Sequence, residues 1–454
     1  MAKQRRNKLP RALYTIPGVA TEAYPIAQIP RVPFIFGTTI QPQPVHTPST
    51  LPPLPQSVIE NIIDHLHDRP VDLQSCCLVS SNWKTQSRIH LFRKVQWNLE
   101  TVSLWCKSIS PRSEGPAGFT KILLVTSLLE YDRLRAFKTH FTSFRNVTYL
   151  TLRNLNFDDQ LFNPDQLPVY FGHLKSGLKS LTLTNANGSC GQLHSFASFF
   201  LCVESLTISR PGELIPPDPA IGLRYRPLRG TLFLRGSLHR HADFIKLLSR
   251  APPPKFHTVR LEHWGRMRVE EFDTLLKSCS GSLEVLDVSA CKGWYPVRLY
   301  RSTTILTWTA IGGADEPFSK LRPNFSLSPR LTEFRIELQH IGDNPPSLIN
   351  TLLTSPIALS RITFVICRRV EPEDLSYAKT WAETDIIIAR FATKFSCRGG
   401  GKRLLLTFKA TRTLDYTKLV PRSVERGVEV VVERGDDEEF ASLPACVSCR
   451  RQIT

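Results

Sequence analysis

No stretch of the chain stays apolar for the roughly 18–20 residues that a membrane-spanning helix needs. Candidates such as Phe196–Val203 are about as long as one core element. A secretory signal is missing too, because the charged N-terminus has no apolar run behind it. The cysteines number eleven, an odd count, and follow no disulfide-framework spacing. That pattern points to reduced thiols in the cytosol or nucleus, most of them acting as small buried hydrophobes. Catalytic patterns are equally scarce, with no nucleophile elbow, paired carboxylates or His-Glu-x-x-His motif. Gly399, Gly400, Gly401 and Lys402 lack the earlier glycine and the following Ser or Thr of a phosphate loop, and read as a turn. Cys446 and Cys449 make half a zinc site without its other half, and read as tail. His239 and His241 read as surface histidines, and Asp436 to Glu439 as a solvated acidic run. The expectation is a chain with no catalytic group, cofactor or metal, and no place in a membrane.

What is present is length and charge. At 454 residues, 41% hydrophobic and 22% charged, the chain can bury a large core in more than one domain. Its net charge of +18 asks for an acidic partner or nucleic acid. The Lys and Arg residues are scattered, without a basic stripe interleaved with aromatics, so an acidic protein partner is favoured and nucleic acid is not. Residues 1–50 carry Lys3, Arg5, Arg6, Lys8 and Arg11 and then prolines every few residues. Such spacing blocks helices and central strands, and the segment is expected to be a loosely attached arm. Its basic cluster reads as tail chemistry rather than a nuclear localisation patch.

The densest local signal lies at Leu54–Val95. Val58, Ile59, Ile62, Ile63 and Leu66 share a helical stripe over about Gln56–His67. Pro55 suits the first turn, while Ser57 and Glu60 offer a capping box. Pro70 ends this helix. Asp72 is expected to cap a second through Leu73, Cys76, Cys77 and Val79, and Ser80, Ser81 and Asn82 to break it. Trp83–Phe92 reads as a third helix, and Val95, Trp97 and Leu99 alternate as a strand.

Leu54-Pro55, the Ile59/Ile62/Ile63/Leu66 helix, Asp72-Leu73, Cys77-Leu78-Val79-Ser80, Trp83 and the closing His90-Leu91-Phe92-Arg93 resemble an F-box, in a version similar to those of mushroom-forming fungi. The resemblance covers about 45 residues. Gln56-Ser57 departs from it, since an acidic residue is usual there. The resemblance implies a docking block for the Skp adaptor of a Skp–cullin–F-box ubiquitin ligase. It points to Leu54, Pro55, Ile59, Ile62, Ile63, Leu66, Val79 and Trp83 as adaptor-binding residues, of which Ile63 and Leu66 best suit a purely internal role.

Beyond Trp97, short apolar alternations recur with anchors at 123, 150, 181, 206, 232, 259 and 286, in steps of 27, 31, 25, 26, 27 and 27 residues. A weaker series continues at Leu306, Phe334 and Ile362, and further strands are expected near Leu404–Phe408 and Val428–Val432. This period with an L-x-x-L-x-L strand is the signature of a leucine-rich-repeat solenoid, whose strands bury their apolar face only by stacking. Gln192–Cys202, His239–Arg250, Val269–Cys279 and Ser347–Thr354 have helical spacing and would carry the chain back between strands. Asparagines that turn the chain after a strand are few, at most Asn154, Asn185 and Asn187. The repeats are therefore degenerate, and an irregular α/β layer fold is the alternative. Pro-rich insertions at 211–228 and 314–328 would shape a binding rim. Trp264, Trp294, Tyr295, Tyr300, Trp308 and Trp381 are candidate contact aromatics.

The expected architecture is α/β: a small all-α F-box (51–97), then an irregular leucine-rich-repeat-like α/β solenoid (98–435), between an arm (1–50) and a tail (436–454). The expected role is the substrate-recognition subunit of a Skp–cullin–F-box ubiquitin ligase, cytoplasmic or nuclear. It would bind the Skp-type adaptor, through it a cullin, and a protein target of unknown identity. The alternatives are an interaction scaffold without a ligase role, and a nuclear, nucleic-acid-associated protein using its basic charge.

Overall fold

The computed structural model describes residues 54–98, 115–126, 140–215, 226–236, 238–262, 269–289, 323–338, 346–366, 378–397, 404–410 and 415–434. The basic arm, the tail with Cys446 and Cys449, the glycine run at 399–401, Leu306, and the aromatics at 264, 294, 295, 300 and 308 lie outside them. The chain divides into residues 1–54 and a unit of 55–454 that holds every element below.

That unit opens with three helices, α1 (Gln56–His65), α2 (Pro70–Val79) and α3 (Ser81–Leu91). Pro55, in extended conformation, caps α1, and no side chain does. The expected capping box is therefore absent; Glu60 instead accepts from Gln56 Nε2 at 3.0 Å. Helix α2 starts two residues before Asp72, because Pro70 fits the first helical position, where no N–H is needed. Ser80 alone, with φ −161° and ψ 172°, separates α2 from α3.

Twelve strands then form one sheet. They are β1 (Lys94–Trp97), β2 (Ile122–Thr126), β3 (Tyr149–Arg153), β4 (Ser180–Thr184), β6 (Ser205–Ser209), β8 (Arg229–Arg235), β9 (Lys255–Glu262), β10 (Val285–Ser289), β11 (Glu333–Leu338), β12 (Arg361–Ile366), β13 (Leu405–Ala410) and β14 (Glu429–Arg434). Two-residue strands β5 (Gly188–Ser189) and β7 (Leu214–Ile215) pair only with each other. Every neighbour in the large sheet is parallel and in chain order. One register row runs Leu123, Leu150, Leu181, Leu206, Leu232, Val259, Leu286, Phe334, Ile362, Leu406, so equivalent positions stack from strand to strand.

Side chains alternate across a strand. In β2, β3 and β4 the buried residues are Leu123 and Val125, Leu150 and Leu152, Leu181 and Leu183. They share one continuous core, from Val95 to Val428, with the helices between strands. Val147, Leu178, Val203 and Leu283, the leading apolar residues of four of the patterns, are buried but sit before their strands, in the turns that enter the sheet, whereas Phe256 leads its pattern from inside β9. Parallel pairing requires these returns. They include α4 (Leu167–Phe171), α5 (Cys190–Phe199), α6 (Ala242–Arg250), α7 (Val269–Ser278), α8 (Pro346–Thr354), α9 (Ala378–Cys397) and α10 (Pro421–Glu425). Around α4 and α5, Phe157, Phe162, Phe171, Phe196 and Phe200 stack with centroids 4.6 to 5.3 Å apart for the closest pairs.

Two expectations change, while the strand expected at Leu306 lies outside the described residues; β10 and β11 pair directly. His241 is fully buried rather than a surface histidine, with Nε2 3.2 Å from the Arg235 carbonyl. Trp381 is fully buried in α9, edge-on to Phe364 at 5.0 Å, and is core rather than a contact aromatic. Asp385 in the same helix accepts from the backbone N–H of Arg422 at 3.0 Å and of Ser423 at 2.8 Å, so it caps the start of α10.

The turns after β3, β4, β6 and β8 place Asn154, Asn185, Arg210 and Gly236 at positive φ. Asn tolerates that region by local hydrogen bonding, and Asn185 Nδ2 donates to Asn154 Oδ1 at 2.9 Å. Asn187 belongs to a second ladder instead, donating its N–H to the Leu155 carbonyl at 2.9 Å.

Candidate docking surface

The three-helix block has a small core. Ile59, Ile63 and Leu73 form it, with Leu66, Trp83 and Leu91 packed partly buried against them. The apolar stripe of α1 splits along its length. Ile59 (5% exposed) and Ile63 (0%) point inward, while Val58 and Ile62, one turn apart, stay exposed. Ile59 is thus part of the block's own packing and cannot present its side chain to a partner. Ile63 is internal as well.

Helix α2 is apolar on more than one side. Leu73 and Cys76 face the core, whereas Val71 (56% exposed), Leu78 (88%) and Val79 (63%) face out. A helix apolar all round belongs in an interior. Val71, Ser75 and Leu78 follow helical spacing on one outward face. Of the eight residues marked from sequence, Leu54, Pro55, Ile62 and Val79 are exposed, Leu66 and Trp83 are half-buried, and Ile59 and Ile63 are buried. Sequence reasoning missed Val71 and Leu78 as outward residues and gave Val58 no docking role. The i, i+4 pairing of Val58 with Ile62 was the available signal; for Leu78 it was a second apolar face on a helix already satisfied by Leu73 and Cys76.

The block is held in register by polar contacts. Asp64 of α1 accepts from Gln86 Nε2 at 2.9 Å and lies 2.7 Å from His90 Nε2, both on α3. The Gln86 hydrogen bond, followed by that of His90, holds the Asp64 carboxyl below its ordinary value.

The face of the sheet turned away from the helices is largely polar and half-buried. Across β3, β4 and β6 it presents Thr151, Thr182 and Thr207 in one row. Across β8 to β11 the same row reads Phe233, Arg260, Asp287 and Arg335. Arg260 Nε lies 3.3 Å and Arg335 Nε 3.9 Å from Asp287 Oδ2. Beside them Arg235 Nε donates to Glu262 Oε2 at 2.9 Å. The Arg260 guanidinium stands 4.9 Å from the Phe233 ring centroid, within cation–π range. Asp287 and Glu262 are both buried among these groups, which fixes the arginines in place.

Burial pushes the Cys190 and Cys279 thiols up to about 12, so neither is a thiolate at neutral pH. Among the described residues no group of three His, Cys, Asp or Glu is placed to hold a metal ion. No described helix is long and apolar enough to cross a membrane. The chain matches no family model and no curated protein.

Proposed function

We propose that the chain is a non-catalytic adaptor, the substrate-recognition subunit of a Skp–cullin–F-box ubiquitin ligase. The α1–α3 block docks a Skp-type adaptor, and the parallel sheet, a leucine-rich-repeat-like solenoid, recruits a protein target. The observation that carries this reading is the outward apolar set Val58, Ile62, Val71, Leu78 and Val79 on a block whose own core needs little more than Ile59, Ile63 and Leu73. Apolar residues concentrated on one small element mark an interaction site. The residue order from Leu54 to Arg93 resembles an F-box and supports the choice of partner. Such a subunit contributes effective concentration and orientation rather than chemistry. Its site of action would be cytosolic or nuclear, where cullin ligases work.

Pull-down with a purified Skp-type adaptor tests the reading. Wild type should bind, and Leu78→Glu and Ile62→Glu should each weaken binding at least tenfold while keeping the fold. Absence of wild-type binding, or wild-type affinity in both variants, contradicts it and favours a ligase-independent scaffold. The nucleic-acid alternative finds less support, because Arg235, Arg260 and Arg335 on the half-buried sheet face are engaged by carboxylates.

A further inference from the structure

A cavity of about 230 Å³ opens where β6, β8 and β9 begin. The chain builds it by making β8 and β9 longer than their neighbours. They run seven and eight residues against five in β4 and β6, and overhang the sheet. The β8–β9 register slips between Gly230 and Thr231, and Gly230 has φ +88°. A Cβ there would lie 2.2 Å from the Glu204 carbonyl oxygen, so only glycine lets the overhang lie this close. The chain leaving α5 supplies the opposite wall.

The floor and walls are apolar, formed by Phe200, Leu201, Val203, Leu206, Leu228 and Phe256. The rim is basic. Arg226, Arg229 and Lys255 line the opening with exposed side chains, and among the described residues no carboxylate lines it. The Lys255 backbone N–H donates to the Leu228 carbonyl at 2.6 Å, tying the two overhangs together. The volume falls below the roughly 300–1,000 Å³ of small-molecule sites. It exceeds the roughly 150 Å³ in which a benzene ring fits an apolar protein cavity.

We infer that this cavity seats one aromatic or leucine-sized side chain from an acidic segment of a target protein, with Arg226, Arg229 and Lys255 holding the flanking carboxylates. The inference rests on the reading that the sheet region recruits a protein target, and it names the chemistry of that target. A net charge of +18 on the chain points the same way. An anchor residue in a desolvated pocket with charges at its rim is the arrangement in which few residues carry most of the binding.

The test is fluorescence anisotropy on the full chain, using a labelled nonapeptide with Gly-Phe-Gly between two runs of three Glu. Saturable binding is expected. It should weaken at least tenfold when the peptide's Phe becomes Gly, when its Glu become Lys, in Arg226→Glu/Arg229→Glu, and in Leu201→Arg, which fills the mouth. These are surface positions, and thermal melts confirm that the variants fold. No binding by wild type, equal affinity for the Phe-free peptide, wild-type affinity in both variants, or equal displacement by a single-stranded oligonucleotide overturns the inference. Capture of the Skp-type adaptor is measured on the same proteins. Peptide binding without adaptor capture sinks the ligase reading alone, and adaptor capture without peptide binding sinks this inference alone.

Discussion

The helical block and the parallel sheet spend their apolar residues in opposite ways. Each strand of the large sheet gives its inward side chains to one continuous core, and large residues such as Phe171, Phe196 and Trp381 are fully buried. In α1–α3 the apolar core is Ile59, Ile63 and Leu73 with Cys76 buried beside them, and Val71, Leu78 and Val79 are left facing out. A strand in a long stack always has a neighbour to cover it, whereas a block of this size has too little interior to hide every apolar residue. Apolar residues therefore report packing in the sheet and unmet contact in the block.

The comparison breaks most visibly at a core position of the sheet. Phe196→Ala removes a ring that meets Phe157, Phe162, Phe171 and Phe200. It should cost about 3–5 kcal/mol in denaturant unfolding, and a loss under about 1 kcal/mol would mean that the cluster is not packed as described. Ile63→Ala in the block should cost about 2–5 kcal/mol, but confined to α1–α3. Hydrogen exchange should then rise in residues 56–91 and stay unchanged in the strands; a uniform rise would show that the two regions unfold as one.

Acid separates the regions next. Burial holds His194 at about 4, and burial together with Arg145 holds His173 at about 4, both well below 6.5. Between these limits the unfolded chain binds protons that the folded sheet refuses. Their contribution is complete above pH 6.5 and is lost as pH falls from 6.5 toward 4. Asp64 behaves differently. Its folded value lies below 3.8, so its clasp on Gln86 and His90 holds above 3.8 and is lost only as pH falls through that lower value. Melting should therefore fall between pH 7 and 5 in wild type and less in His194→Phe, read by circular dichroism. The smallest effect belongs to Leu78→Ser, which should move stability by no more than about 0.5 kcal/mol, since the side chain is 88% exposed. A loss above 1 kcal/mol would place Leu78 in the block's own packing.

The strands were legible because period-two alternation survives in each repeat, from Leu123 to Phe408. The leading apolar residue of a pattern, such as Val147 or Leu178, is buried in the entering turn rather than in the strand, so apolar spacing alone does not mark where a strand starts. A regular repeat also misled. The spacings from Leu286 to Phe334 and from Ile362 to Leu406 are longer than the rest, so counting repeats overlooked the twenty-residue helix α9. In the block, sequence located the apolar stripe of α1 but not its division. Ile59 and Ile62 sit three residues apart, yet one faces the core and the other faces out. The cavity was invisible because it depends on strand length and on a slip at Gly230, neither of which leaves a periodic trace. The segment expected to be helical through Cys202 ends at Phe199, and the residues released form part of its wall.

Hydrogen exchange of the full chain with and without a purified Skp-type adaptor tests the central claim most directly. The account predicts protection confined to α1 and α2, centred on residues 58–79, with the sheet unchanged. Protection on the sheet instead, or none in the helical block at saturating adaptor, would contradict it.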